Sequence, residues 1–149
     1  MYKKLTQNTL LLFSCTLFLV ALLGFTLQQE PWRNDQLLSP ADLAAAIKDS
    51  AKEQPLIISV GPSAVIPKSV DIGAAHEGNN MKTLENHLSK VSKEKEIVLY
   101  CGCCPFNKCP NIRPAFTLLT TMGFKNHKLL NLPRNVKADW IDAGYPVAD

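Results

Sequence analysis

The sequence predicts an α/β protein, a mostly parallel sheet with helices on both faces. Two observations predict it. Short apolar runs of strand length alternate with stretches whose apolar residues recur every three or four positions, and Gly, Pro and Asn stand between them. Strands alternating with helices at this spacing call for a parallel sheet covered on both sides. With 149 residues, 46% apolar and 19% charged, the chain holds one ordinary domain and an appendage.

The appendage is N-terminal. Lys3 and Lys4 precede Thr9 to Leu27, nineteen residues without a charge, near the length that crosses a bilayer as a helix. The lysines favour a cytoplasmic N-terminus and put everything after Glu30 on the far side. An uncleaved anchor suits the long run; a cleaved signal peptide and lipoprotein processing at Cys15 are the rival readings, and all three export the domain. A misread buried helix is the reading that would not. The expected division is residues 1–30 as signal peptide or membrane anchor and 31–149 as the domain. The expected location is the cell membrane, single-pass with the domain on the non-cytoplasmic side, or the periplasm or exterior.

The domain then reads in order. Gln36 to Ser50 is an amphipathic helix with Ser39 as N-cap and Pro40 in its first turn. Leu56 to Val60 is a strand ended by Gly61-Pro62, Ile66 to Ile72 holds a second brief strand, and Gly73 to Asn80 is a polar loop. Met81 to Lys93 is a helix with a narrow apolar stripe, and Ile97 to Tyr100 is the third strand. Asn111 to Met122 is a helix stopped by Gly123, with Phe116 and Leu119 as core positions. His127 to Leu132 is the fourth strand, and Val136 to Ala143, ended by Gly144, the last helix. Trp140 and Tyr145 pack that helix onto the sheet.

Four of the five cysteines, Cys101, Cys103, Cys104 and Cys109, fall within nine residues between the third strand and the helix that follows. At the carboxyl end of such a strand, loop amides and the positive end of the next helix converge, which would bias a thiol there toward thiolate. Lys108 would add positive potential. In an oxidising compartment four thiols permit two disulfides in three connectivities, and they equally permit a metal site. A bridge from Cys103 or Cys104 to Cys109 would stiffen the loop and leave Cys101 free, or act as a resolving pair for it. Zinc usually draws on two separated Cys-x-x-Cys knuckles, whereas copper(I) or an iron–sulfur cluster tolerates one contiguous set.

Several segments together resemble the rhodanese-like domain over residues 37–147. They are Ile66-Pro67-Lys-Ser-Val-Asp-Ile, Ile97-Val-Leu-Tyr-Cys101, Arg113, Met122-Gly-Phe-Lys-Asn and Trp140-Ile-Asp-Ala-Gly-Tyr-Pro-Val147. The resemblance implies the rhodanese-like fold and sulfur transfer, in which a loop cysteine holds sulfane sulfur as a persulfide. Cys101 matches the nucleophile. Departures stand beside the matches: eleven residues separate Cys101 from Arg113, Ser59 replaces the usual acidic residue, Val65 the usual histidine, and Pro133-Arg134 the usual Gly-Gly.

The expected function is therefore an exported or membrane-tethered sulfurtransferase. Cys101 is its catalytic thiol, and Arg113 holds an anionic donor such as thiosulfate or serves as a solvated cap residue. Cys103, Cys104 and Cys109 are resolving, disulfide-forming or metal-binding thiols. The alternative is a rhodanese-fold module that uses its cysteine loop for metal binding or thiol–disulfide exchange. No cofactor is expected beyond a metal on that loop. Partners are a small sulfur donor, a thiol or cyanide acceptor, a redox protein, and the membrane through residues 9–27. A net charge of +3 without a basic stripe gives no nucleic-acid footprint. His76 and His87 have no cysteine near them in sequence, and His127 reads as structural.

Overall fold

The computed structural model describes residues 30–148; the expected anchor or signal segment, Thr9 to Leu27 with Cys15, lies outside the described residues. Among the described residues no helix is long and apolar enough to cross a membrane. Five strands, β1 (Leu37–Leu38), β2 (Leu56–Ser59), β3 (Val70–Asp71), β4 (Ile97–Tyr100) and β5 (His127–Leu130), form one sheet in the order β1-β5-β4-β2-β3. Every pairing is parallel. Three α-helices accompany it: α1 (Pro40–Lys48), α2 (Asn80–Leu88) and α3 (Ile112–Thr121).

The central strand shows why both faces must be covered. All four residues of β4 are buried, and its two-residue period sends them alternately to two cores. Ile97 and Leu99 join Leu84, Leu88, Phe116 and Leu119, which come from α2 and α3. Val98 and Tyr100 join Leu43, Leu130 and Trp140 on the α1 side. β4 pairs with β2 through Ser59↔Tyr100 and with β5 through Leu99↔Leu129, so their carboxyl ends finish nearly level at one edge.

Beyond shifts of one or two residues at element ends, the elements differ from the sequence reading in four places, each with a local cause. Leu37–Leu38, read as the start of the first helix, is instead an edge strand on β5; α1 begins at Pro40, where Ser39 accepts the N–H of Asp42 at 3.1 Å. The second brief strand shrinks to Val70–Asp71, because Lys68 has a positive φ of 61° and the Ile66 N–H is taken by the Tyr100 hydroxyl. α2 ends at Leu88 rather than Lys93, since the N–H groups of Lys90 and Val91 bond three residues back and tighten the chain. The last helix is a single π turn, Lys137–Ile141, with Asp142 N–H reaching the Lys137 carbonyl. Trp140 is fully buried from that turn, as expected, and its Nε1 donates to the Pro146 carbonyl at 2.6 Å.

Candidate functional site

Cys101 follows the last residue of β4 and is 4% exposed. Two glycines make its place. A Cβ on Gly61, in the loop after β2, would collide with the Cys101 carbonyl and lie 3.1 Å from its sulfur. Gly102 has a φ of +85°, a conformation glycine adopts freely, and so folds the chain back directly after Cys101. That reversal brings the Cys103 sulfur to 3.2 Å from the Cys101 sulfur, and the Cys104 sulfur to 3.3 Å from that of Cys103. The Gly102 carbonyl accepts the Val136 N–H at 2.9 Å, which ties the turn to the last helical segment.

The rest of the loop is a short 3₁₀ turn, Phe106–Lys108, held by the Phe106 N–H on the Leu132 carbonyl at 3.2 Å. It returns Cys109 to the buried side, where the Cys109 N–H bonds the Phe106 carbonyl at 3.3 Å. The sulfurs of Cys101, Cys103 and Cys109 consequently all lie within 4.8 Å of one another, a set that could hold a metal ion. Cys103 is exposed, Cys104 half-buried, and all four loop cysteines are free thiols.

The expected bias of Cys101 toward thiolate is not what this arrangement produces. The hydrogen bond with Cys109 and then burial push the Cys101 thiol far above the ordinary range, and burial does the same more mildly to Cys103 and Cys104. The physical reason is crowding: several potential anions share a small, poorly hydrated space. Lys108 is exposed and takes no part in these shifts, contrary to the role expected of it. Two N–H donors still point at the Cys101 sulfur, the Cys103 amide and the Asn111 side chain, whose Nδ2 lies 3.3 Å away, and the Cys103 thiol adds a weaker one.

Asn111 brings in a residue that sequence spacing missed. Its Oδ1 accepts the backbone N–H of His76 at 2.9 Å and also lies 2.6 Å from His76 Nδ1. The backbone donor fixes which amide atom is oxygen, so the His76 Nδ1 that faces it is the N–H donor and the Asn111 Nδ2 faces the sulfur. His76, far from any cysteine in sequence, is thus joined to Cys101 through one buried side chain. The signal that could have found it is topological: in a parallel sheet the loops after β3 and β4 open at the same edge. His87 lies on α2, and His127 is buried between the Thr120 hydroxyl, the Phe124 carbonyl and Gln36.

Arg113 is occupied within the chain. Its Nη2 donates to Glu30 at 2.6 Å and to the Asn107 carbonyl at 2.5 Å, and its guanidinium lies over Trp32 at 5.7 Å. Trp32 in turn packs against Phe106 and Phe116. Arg113 therefore ties the cysteine loop to the segment preceding β1 and is not among the groups that contact the Cys101 sulfur.

No protein-family model matches the chain, and no curated protein does. Among solved structures it is similar to the crystal structure of the Alr3790 protein from Anabaena sp., with a TM-score of 0.54 and 17% identity over 74% of this chain and 90% of that one. At that identity the likeness is one of fold. The chain is an α/β protein built on a five-stranded parallel sheet, with a cysteine cluster at the carboxyl end of its central strand.

Proposed function

We propose that the chain is a rhodanese-like sulfurtransferase, exported or membrane-tethered, in which Cys101 carries sulfane sulfur and Cys103 resolves it. The observation that carries this reading is the 3.2 Å approach of an exposed thiol to a buried one at the end of β4. Fold likeness and the position of Cys101 after β4 add support.

Thiosulfate illustrates the reaction. The Cys101 thiol gives its proton to solvent as its sulfur attacks the outer sulfur of the donor; their bond forms as the donor's S–S bond breaks, and sulfite leaves with the bonding pair. An external thiol or cyanide then removes the outer sulfur. Alternatively Cys103 attacks the Cys101 Sγ, expels hydrosulfide and leaves a Cys101–Cys103 disulfide, which a thiol reductant or a redox protein must reopen. In this role the Cys103 amide and Asn111 Nδ2 stabilise the negative sulfur while it exists. Arg113 holds the loop rather than the donor.

Thiocyanate formation from thiosulfate and cyanide tests the assignment. Cys101→Ser should abolish turnover, Cys104→Ser and Cys109→Ser should only weaken it, and Cys103→Ser, which removes the competing disulfide, should not lower it. An undiminished rate in Cys101→Ser would remove Cys101 from the nucleophile role.

A further inference from the structure

We propose that the same loop is a copper(I) site in which Cys101, Cys103 and Cys109 supply three thiolates to one ion. The proposal rests on the convergence of these sulfurs and is independent of sulfur transfer. A metal–sulfur bond of about 2.3 Å sets the sulfurs of a closed site about 4 Å apart. The three sulfurs lie within 4.8 Å of one another, the Cys101–Cys103 pair at 3.2 Å, so small side-chain rotations suffice to enclose an ion.

The origin of the ligands also favours a built site. Cys101 is fixed by the end of β4 and by Asn111, and Cys109 by the turn that precedes α3. Both are buried, whereas Cys103 is exposed behind the Gly102 reversal. An ion would therefore enter past Cys103 and come to rest against two preorganised, poorly hydrated sulfurs.

The donor set selects the metal. Among the described residues no histidine or carboxylate joins the three sulfurs, and the Cys104 sulfur, 3.3 Å from that of Cys103, is not within 4.8 Å of all three. Zinc in a structural site takes four tetrahedral ligands. Three mutually close soft donors, with the fourth sulfur off to the side of Cys103, suit trigonal copper(I), for which thiolates are preferred partners. Binding exchanges three thiol protons for one cuprous ion with no change of oxidation state. It also occupies the lone pairs that sulfur transfer uses, so the copper-loaded loop should not accept sulfur.

The test is an anaerobic titration of the reduced full-length chain, in mild detergent, with copper(I) against a chromophoric cuprous chelator, and separately with zinc. One equivalent of copper(I) should be retained, with an X-ray absorption signature of three sulfurs, and excess zinc should not displace it. Cys103→Ser, whose residue is exposed and not needed for the core, should weaken binding by more than the roughly 10- to 100-fold typical of an outer-shell change. Cys104→Ser should keep the stoichiometry and the sulfur count. No retained copper, displacement by zinc, or an equal loss in Cys104→Ser would overturn the site. Sulfur transfer is assayed on the metal-free chain, so either proposal can fail without the other.

Discussion

Asn111 occupies the N-cap position of α3 yet makes no cap hydrogen bond; its side chain is spent between His76 and the Cys101 sulfur. A donor to a charged acceptor is worth about 1.5 to 3 kcal/mol. Asn111→Ala should therefore slow persulfide formation on Cys101 by about tenfold or more, which stopped-flow measurement of sulfite release would show. His76→Phe should cost less, because the His76 backbone N–H still orients the amide. His127 gives a prediction about stability. Burial, and next to it the charge of Arg33, hold its pKa below the ordinary value. The unfolded chain then binds the extra proton more readily, so this stability is fully present above about pH 6.5 and is lost as pH falls through the folded pKa. Urea titrations at pH 7.5 and 5.5 should show the midpoint falling with acid, and the fall should shrink in His127→Gln.

At the scale of elements, the reversal after β4 and the helix after the loop carry the site. A side chain at Gly102 would be strained by its φ of +85° and would place Cβ 2.7 Å from the Val136 Cβ. The backbone strain alone costs about 1 to 2 kcal/mol. Gly102→Ala should lower thermal stability and slow disulfide formation between Cys101 and Cys103; adding Val136→Ala should recover only a small part, because it removes the Cγ1 contact at 2.9 Å but keeps the Cβ clash and the backbone strain. Leu119, fully buried on α3 against the sheet, should cost about 2 to 5 kcal/mol as Leu119→Ala. A loss well below 1 kcal/mol in chemical denaturation would mean that α3 is not packed as described.

For the whole molecule, the segment before β1 is part of the site's support. Glu30 and Trp32 join Arg113, Phe106 and Phe116, so the chain emerging from the N-terminal segment is fastened to the cysteine loop. Trp32→Ala should cost about 3 to 5 kcal/mol and loosen the loop, read as faster alkylation of Cys109. Much of this architecture was legible in the chain. The Ile97–Tyr100 run gave β4 without error, and the three- and four-residue spacing of Ile112, Ala115, Phe116 and Leu119 gave α3 within one residue at each end. Leu37–Leu38 was not legible as a strand, because two residues show no period and their pairing with β5 is set ninety residues away. The His76–Asn111–Cys101 connection was hidden for the same reason: it is a contact across loops, not a pattern along one. The neutral state of Cys101 depends on Cys109 folding back beside it, which local helix and strand rules do not register.

Peptide mass spectrometry of the loop tests most directly whether Cys101 and Cys103 act as one sulfur pair. The reduced, metal-free, full-length chain is treated with thiosulfate, then alkylated and digested without reductant. The wild type should show a Cys101–Cys103 disulfide with hydrosulfide released, and Cys103→Ser should retain one additional sulfur atom on Cys101. Additional sulfur on Cys104 or Cys109, with Cys101 fully alkylated as a plain thiol in both proteins, would contradict it.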